Sequence, residues 1–328
     1  MKKQLLTAYR QGDRHLHNTQ VTGFNLSGEA FKQADFSYSD FAHSYLDRTN
    51  FSHCQFHQAN FEQASLFGSN LSYAKLQHCN LQQVNLTKAN LQGARLDHSN
   101  LNQTQLSGAL LHWASFYQAQ MRDVNLCGAN LQGINFRGAD LTNANLSWSN
   151  LSRAKLSGAI LDGANLDGAR LRAAYMNALD LSLRNLEGLD LQDIIFNGGL
   201  CNRAHLVGSN LSNAHLRLTK FVDTIFDRAN LCGADFREGT LQRASLKSVR
   251  AIATNFGQSV LCQANFLGAN LQEANFYGAD LREANFRDAN LQGANLTAAN
   301  LTNAQLTPQQ LKTCIISKTQ LPTAFALA

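Results

Sequence analysis

The stretch that decides the fold is residues 264–286, ANFLGANLQEANFYGADLREANF. A large apolar residue, Phe or Leu, returns at every fifth position from Phe266 to Phe286, and an Ala precedes each of them by two positions. The residue between the two is Asn or Asp. A period of five matches neither the 3.6-residue turn of a helix nor the two-residue alternation of a strand. It indicates a short extended segment followed by a turn.

The same period continues in one register from Leu26 to Leu306. Of the 57 large positions, here called centres, 37 are Leu and 16 are Phe. Alternate residues of an extended segment point to the same side, so the centre and the small residue two positions before it are both predicted to face inward. Gly often stands two positions after the centre, where a tight corner favours a positive φ.

This pattern resembles the A(D/N)LXX motif of the pentapeptide repeat family. The resemblance implies an all-β solenoid, a right-handed quadrilateral β-helix with four repeats in each coil. At four repeats per coil, 57 repeats would build about 14 coils. A separate observation favours a coil of twenty residues, because half of the Phe centres share positions spaced by multiples of 20: Phe36, Phe56, Phe116, Phe136, Phe196, Phe236, Phe256 and Phe276.

We therefore predict one solenoid over residues 1–328, made of an N-terminal helical cap, the repeats and a C-terminal cap at 1–19, 20–306 and 307–328. Residues 3–11 followed by Gly12 are typical of a short helix with a glycine stop. Thr307 followed by Pro308 predicts the start of a second helix. Ile316 and Leu321 would be the centres of a last partial coil.

The composition favours a cytoplasmic protein, and the resemblance to the pentapeptide repeat family implies a bacterial one. The chain has no apolar run long enough to span a membrane, and Lys2 and Lys3 are not followed by the apolar segment of a signal peptide. The seven cysteines include no CxxC pair, so neither a disulfide framework nor a zinc site is expected. Cys54 and Cys79 take the small inward position and should act as small apolar residues.

The repeat is irregular in two places. Between residues 177 and 200 the small inward position is occupied by larger side chains, among them Leu179 and Arg184, and the next centre is Cys201. A second irregularity covers residues 249–251. An inward Arg184 would be costly unless it were paired or displaced by a bulge. Two interpretations follow for 177–200, a tolerated distortion or a functional bulge.

Catalytic, cofactor-binding and metal-binding residues are not predicted. With a twenty-residue coil, His78 and His98 stack beside His57, but scattered surface histidines produce such neighbours by chance. The sequence contains no recognisable set of nucleophile, base and orienting group, and a filled solenoid lacks the apolar pocket typical of enzymes. We expect a protein that is not an enzyme and that has no cofactor and no small-molecule substrate.

Basic residues share one column of stacked positions, but acidic residues interrupt it. The column holds Lys75, Arg95, Lys155 and His215, with Asp35 and Asp235 between or beside them. The net charge of +5 is mild for 328 residues. The sequence therefore disfavours nucleic acid as a partner, and the column is interpreted as a solvated face.

Apolar residues at outward positions mark a candidate protein-binding face. Under twenty-residue stacking, one face collects Ile160, Leu183, Leu200, Val222 and Val260. Exposed apolar patches are typical of protein contacts. The sequence thus favours a rigid scaffold that binds an unidentified protein without inserting into a membrane. Open solenoid ends would also allow an end-to-end homodimer.

An alternative function follows from the family resemblance. Some pentapeptide repeat proteins mimic DNA, bind type II topoisomerases such as DNA gyrase and confer resistance to inhibitors. That mechanism requires a strongly acidic surface. Here Lys and Arg number 28 against 23 Asp and Glu, which disfavours this alternative.

Overall fold

The computed structural model describes residues 2–322 and residue 325. The chain forms two compact units, Met1–Arg170 and Leu171–Ala328, called the first and the second unit below. Within each unit the same five-residue element repeats: a centre, a two-residue turn, a small inward residue and a bridging residue. The division of the whole chain into one solenoid with two caps stays a prediction.

Each coil contains twenty residues. In the first unit, parallel bridges join residues twenty apart, from His15 with Asp35 to Asn150 with Arg170. In the second unit the same spacing runs from Tyr175 with Ile195 to Asn300 with Gln320. Each described strand is a single bridging residue. The fold is therefore an all-β solenoid with four five-residue repeats per coil in each unit, as the Phe spacing predicts.

Four of the five backbone N–H groups in a repeat have backbone acceptors. In repeat 71–75, Leu71 and Tyr73 donate to carbonyl oxygens of the following coil, at 2.7 and 2.8 Å. Ala74 closes the turn by donating to the carbonyl of Leu71 at 3.0 Å. Lys75 donates to the preceding coil at 2.9 Å. This repeat is thus tied both to itself and to its two neighbours in the stack.

The fifth N–H group, on the residue after the centre, is satisfied by a side chain. The Oδ1 atom of Asn70 accepts the N–H of Ser72 at 3.0 Å, and the same contact recurs in repeats with Asn or Asp at the bridging position. Asn and Asp have side chains of the right length to accept from a backbone group two residues on. This contact is the physical reason for the Asn or Asp in the motif.

The corner residue, two positions after the centre, has a positive φ in every repeat from Asn18 to Asn303, between 52° and 75°. Glycine was expected there, yet most corners carry other residues. Val, Ile and Thr occupy none of these positions. Branching at Cβ adds to the crowding that a left-handed conformation already imposes on an L-residue, so the exclusion has a steric cause.

The centres form an apolar interior in each unit. The rings of Phe36 and Phe56 stack in the first unit, with centroids 5.6 Å apart and planes 8° apart. Phe236, Phe256 and Phe276 stack in the second unit, with centroids 5.2 and 5.1 Å apart. The structure thus confirms stacked Phe contacts along the predicted positions.

The small inward residues are buried as predicted, but the cysteines among them also donate hydrogen bonds. The Cys54 thiol donates to the carbonyl of Phe31 at 2.6 Å, and the Cys79 thiol donates to that of Phe56 at 2.8 Å. Burial raises the pKa of both thiols to about 12. These groups therefore stay protonated and unreactive at neutral pH.

Two short helices lie where the sequence predicts them. Helix α1 spans Lys2–Arg10 and ends before Gly12, whose φ is 98°. The Tyr9 ring of α1 contacts the Phe31 ring, with centroids 5.2 Å apart. Helix α2 spans Pro308–Lys312 and begins with the predicted cap, Thr307.

A capping box fixes the start of α2 and connects it to the repeats. Thr307 and Gln310 exchange hydrogen bonds between side chain and backbone. The Nε2 atom of Gln310 also donates to the carbonyl of Phe286 at 2.7 Å. Ile316 and Leu321 take the centre positions of a last partial coil, as predicted, because the bridging residues before them, Ile315 and Gln320, pair with Asn295 and Asn300. Both side chains are exposed, unlike the buried centres up to Leu301.

The backbone continues unchanged through residues 177–200. Bridges join Asp180 with Leu200 and Asn185 with His205, and the turns keep their positive φ. The half-buried Arg184 donates its backbone N–H to Leu181 at 3.3 Å, as any small inward residue does. The irregularity is confined to side chains, which favours a tolerated distortion over a bulge. The turn at Val249–Ala251 is equally regular.

The corner conformation generates a stability prediction at Ala253, an exposed corner residue with φ of 54°. Replacement by Val should lower the free energy of unfolding by about 1 kcal/mol, since a branched Cβ is strained at this φ. Ala253→Gly should leave the unfolding free energy nearly unchanged or raise it. Urea denaturation of the two variants measures the difference. Equal free energies of unfolding would contradict the steric explanation for the absence of Val, Ile and Thr at the corners.

A candidate protein-binding groove

The structure places the predicted face residues in different surroundings. In the second unit Leu183 is 74% exposed and Val260 is 38% exposed, while Leu200 and Val222 are half-buried. Leu200 and Val260 stand in one bridging column, as twenty-residue stacking predicts. Lys220 and Thr240 lie between them in that column, so the apolar surface is interrupted. Ile160 belongs to the first unit and is 45% exposed there.

Two of the predicted residues line an open groove of about 440 Å³ in the second unit. The groove follows one corner of the solenoid along successive coils. Its walls are formed by Ser182, Leu183, Asn202, Arg203, Val222, Asp223 and Arg243. Leu183 and Val222 supply the apolar surface, and the remaining residues are polar or charged. The groove was not predicted as such, because the sequence shows only which positions point outward.

Leu183 is unusual for a corner residue. Its φ of 63° places an L-residue in the left-handed region, and its side chain is almost entirely in water. Both features are unfavourable for leucine, and the corners of this chain more often hold Gly, Gln, Asn or charged residues. All corners share the positive φ, so the large exposed apolar side chain is the reason to look for a function at this position.

Charged residues on one wall of the groove form a ladder across neighbouring coils. Asp223 accepts two hydrogen bonds from Arg243, at 2.6 and 2.8 Å, and Arg203 lies 3.9 Å away on its other side. These hydrogen bonds from Arg243 hold the pKa of Asp223 below its usual value. The Asp223 carboxylate thus faces two guanidinium groups. The exposed Lys220, two residues before Val222, adds a further positive charge. The wall therefore carries an excess of positive charge.

Asn202 replaces a missing backbone acceptor in the groove. The bridging residue before Val222 is Lys220, which cannot accept the N–H of Val222 as Asn or Asp would. The Oδ1 atom of Asn202, in the preceding coil, accepts it instead at 2.9 Å. The same replacement occurs where Asn197 accepts from Arg217 and where Asp47 accepts from Phe67. An Asn or Asp directly after a centre, twenty residues before the unsatisfied N–H, was the sequence signal for this contact.

This contact can be tested by moving the acceptor. Asn202→Ala should lower the free energy of unfolding by about 1–2 kcal/mol, because it leaves the N–H of Val222 without its acceptor. Adding Lys220→Asn should restore most of the loss, since the new amide side chain would accept the N–H two residues later, as in regular repeats. Denaturation of the single and double variants measures both steps. If Lys220→Asn raises the free energy of unfolding by the same amount in the wild type and in Asn202→Ala, the two positions do not share this role.

The histidines in the first unit form ring contacts. The rings of His57 and His78 are 5.4 Å apart, and those of His78 and His98 are parallel at 5.0 Å. In the described part of the chain, no group of three or more His, Cys, Asp or Glu residues is arranged to hold a metal ion. The stacking that the sequence predicts for His78 and His98 is confirmed.

A second cluster lies further along the second unit. Asp280 accepts two hydrogen bonds from Arg282, at 2.8 and 2.7 Å, and one from the Cys262 thiol at 3.0 Å. The Arg282 hydrogen bonds lower the pKa of Asp280 to about 2. Partial burial and the nearby carboxylate raise the pKa of the Cys262 thiol, so this thiol is protonated at neutral pH.

The low pKa of Asp280 predicts an acid-sensitive contribution to stability. An Asp in an unfolded chain has a pKa of about 3.9, so the contribution is complete well above that pH and is lost as the pH falls towards 2. In Asp280→Asn the free energy of unfolding should therefore fall less steeply between about pH 5 and pH 2 than in wild type. Denaturation curves across this pH range measure the slopes; identical slopes would contradict the prediction.

Five-residue repeats arranged in twenty-residue coils, with Asn or Asp before most centres, define the class of protein as a pentapeptide solenoid. Two profiles of that class match the chain. The profile described as pentapeptide repeats matches residues 85–123, 119–158, 149–188 and 185–222. The pentapeptide repeat region profile matches residues 14–91 and 219–296. The chain belongs to the pentapeptide repeat family.

Several solved structures are similar to parts of the chain. HetL from the cyanobacterium Nostoc sp., a pentapeptide repeat protein involved in regulating heterocyst differentiation, is 25% identical, with 89% of this chain and 95% of HetL covered and a TM-score of 0.32. A pentapeptide repeat protein of the Arabidopsis thaliana thylakoid lumen is 31% identical, with 34% and 67% covered and a TM-score of 0.23. None of the curated proteins compared with the chain matches it.

A third similar structure is QnrB1, a plasmid-mediated fluoroquinolone resistance protein. It is 14% identical, with 69% of this chain and 91% of QnrB1 covered and a TM-score of 0.28. Among the helices described here, neither reaches the length and apolar character needed to cross a membrane.

Proposed function

We propose that this protein is a non-enzymatic, cytoplasmic scaffold that binds a protein partner through the groove beside Leu183. The observation that carries the proposal is the combination of a strained, exposed leucine with a concave surface in the second unit. Leucine in that position weakens the free protein and is explained if a partner covers it. No cofactor or small-molecule substrate is part of the proposal.

The charges around the groove indicate the chemistry of the partner. Arg203, Lys220 and Arg243 outnumber Asp223, and Arg203 is 3.9 Å from that carboxylate, so it keeps most of its hydrogen-bonding capacity. The nearby Asp180 accepts a hydrogen bond from the backbone N–H of Ser182, two residues later in the same turn. A partner segment that places an apolar side chain between carboxylates would contact both Leu183 and the guanidinium groups. We therefore assign the groove to a peptide segment with an apolar residue flanked by Asp or Glu.

The backbone of the solenoid suits this role. Residues of the groove stand on turns whose N–H groups are hydrogen-bonded to backbone or to side chains such as Asn202. A surface that is already ordered loses little conformational entropy when a partner binds. Binding can therefore use a modest apolar contact that would be too weak on a flexible loop.

Peptide selection tests the assignment. A phage library of random linear peptides is selected on the wild-type protein and counter-selected on Leu183→Glu. Enriched peptides should contain a large apolar residue next to Asp or Glu, because both contacts are needed. Calorimetry on a selected peptide should show at least about tenfold weaker binding to Leu183→Glu, the loss of about 1.4 kcal/mol. Val222→Asp should weaken binding in the same direction.

Leu218→Glu is the matched control. Leu218 is also an exposed corner leucine of the second unit, with φ of 60°, but it does not line the groove. Its substitution introduces the same charge in the same conformation and should leave peptide binding unchanged. Selected peptides without the apolar and acidic pattern, or peptides that lose affinity equally with Leu183→Glu and Leu218→Glu, would refute the groove as the binding site.

The topoisomerase-binding alternative is less favourable. DNA mimicry needs free surface carboxylates, whereas Asp223, Asp235 and Asp280 of the second unit each form an ion pair with an arginine, at 2.6 to 2.7 Å. These pairs neutralise the charge that a DNA-binding groove would recognise. Together with the net charge of +5, they leave this alternative without a supporting observation.

A further inference from the structure

One face of the first unit combines basic residues with two rows of aromatic rings. Its middle is the bridging column in which Gln55, Lys75, Arg95 and Ser115 pair in succession. Lys75 and Arg95 are neighbours in adjacent coils, and both side chains reach solvent. The two corners beside this column carry the rings. We call this surface the basic face.

The first row is formed by rings that lie flat on the corner of the next coil. Tyr73 and Trp113 are each followed, twenty residues later, by glycine, and a Cβ at Gly93 or Gly133 would lie only 2.7 Å from the ring. Glycine is therefore needed for each ring to take this position. Tyr73 and Trp113 are still 50% and 60% exposed.

Neighbouring contacts hold this row in place. His53 stacks on Tyr73, with centroids 5.1 Å apart and planes 14° apart. The side chain of Gln92 donates to the Tyr73 hydroxyl at 3.2 Å. Flat rings fixed against a regular backbone form a preorganised stacking surface.

The second row is a continuous series of ring contacts along the opposite corner. Centroids of successive rings are 5.9, 5.4, 5.0 and 5.5 Å apart from one end to the other. The series consists of Tyr38, His57, His78, His98 and Tyr117. Between this row and Lys75 lies an open cavity of about 380 Å³, lined by Gln55, His57, Lys75, Gln77 and His78.

Positive charge predominates on the basic face. Beyond Lys75 and Arg95, the bridging column carries Lys155, the corner column of Trp113 carries Arg153, and the column of Tyr117 carries Arg137. The acidic residue between them is Asp97, which is largely buried and accepts hydrogen bonds from Ser115 and from the backbone N–H of Tyr117. Asp97 also lies 3.4 Å from Arg95, whose side chain is nevertheless 60% exposed.

We propose that the basic face binds single-stranded nucleic acid. Lys75 and Arg95 pair with phosphates along the axis of the coils, and an unpaired base stacks on the exposed ring of Trp113, beside Tyr73 and His53. A positively charged track beside aromatic platforms is the combination by which proteins hold single strands without sequence preference. The stacking surfaces require bases that are not paired in a duplex, so double-stranded DNA is a poor ligand.

Other polyanions use only part of this surface. An acidic peptide would pair with Lys75 and Arg95 but would leave the flat rings unused. An acidic polysaccharide could contact the rings but offers no aromatic base to stack on them. Only a strand that carries both phosphates and planar bases uses the charge and the rings together.

This inference does not depend on the groove of the second unit. It departs from the sequence-based expectation that the basic column is a solvated face and that nucleic acid is disfavoured as a partner. Asp235, one of the two residues that interrupt that column in the sequence, belongs to the second unit, and Asp35 precedes Gln55 at one end. Of the aromatic rows, only the stacking of His78 and His98 beside His57 was predicted from the sequence.

Fluorescence anisotropy with the full chain tests the proposal. The probe is a fluorescein-labelled oligothymidine of about 20 nucleotides, a length sufficient for one or more single-strand-binding surfaces. Trp113→Ala should weaken binding about tenfold, the size of one lost base stack. Lys75→Gln combined with Arg95→Gln should weaken it at least as much. Raising NaCl from about 50 to 200 mM should weaken wild-type binding about tenfold, as expected for two or three phosphate contacts.

Matched controls lie on another corner of the same unit. Trp148 also lies flat over a glycine, Gly168, and is 73% exposed, so Trp148→Ala removes an equivalent ring outside the basic face. Arg48→Gln combined with Lys88→Gln removes one arginine and one lysine charge from the corner that carries Trp148. Both controls should bind the oligonucleotide as the wild type does. Thermal unfolding of all variants verifies that they are folded.

Two further measurements separate stacking from charge. Trp148→Phe leaves Trp113 as the single tryptophan, and bound oligothymidine should quench its fluorescence. An abasic oligonucleotide of equal length should bind about tenfold more weakly than oligothymidine. Absence of binding at about 50 mM NaCl, the low-salt condition that favours phosphate contacts, or equal effects of Trp113→Ala and Trp148→Ala, would overturn the proposal. Equal binding of the abasic strand, polyglutamate or dextran sulfate would overturn it in favour of a general polyanion surface.

Discussion

The structure depends on one conformational constraint, the left-handed corner that recurs every fifth residue. A positive φ at this position turns the chain through the corner and lets the next N–H close onto the centre's carbonyl. The same geometry directs the centre and the small residue inward and brings residues twenty apart into parallel contact. Because L-residues resist this conformation, the favourable contacts of the stack must exceed a repeated steric cost. The cost is reduced by glycine at some corners and by the absence of Cβ-branched residues (Val, Ile and Thr) at all of them.

Hydrogen-bond satisfaction explains both the motif and its exceptions. Four N–H groups of each repeat bond to backbone, and the fifth needs a side-chain oxygen, which Asn or Asp supplies from the bridging position. Where another residue stands there, as Lys220 does, an acceptor such as Asn202 appears in the preceding coil. The same compensation operates within residues 177–200, where the N–H of Asn197 bonds to Asn177. In these repeats the bridging residue therefore changes its chemistry without leaving the following N–H unpaired.

This freedom confines functional variation to the outward positions. The corner conformation fixes the direction in which a side chain leaves the surface, and the residue twenty positions later determines whether it can lie flat. Trp113 over Gly133 forms a stacking surface, whereas Leu183 projects into solvent beside Val222. In each unit, the interior is thus constant, and the outward residues of each column determine the chemistry of the surface.

The amino-acid sequence by itself determined the period, the inward positions, the twenty-residue coil through Phe spacing and the start of α2 at Thr307. These features follow from local geometry or from residues in one column, so a one-dimensional pattern contains them. The sequence also indicated Leu183 and Val222 as outward apolar residues, but not the groove, the ion pairs of Asp223 or the interruption of the apolar column by Lys220. The tertiary structure decided those features, together with the aromatic rows around Lys75. The physical reason is that they join different columns across a corner, where side-chain conformation and the space left by neighbouring residues determine which groups meet.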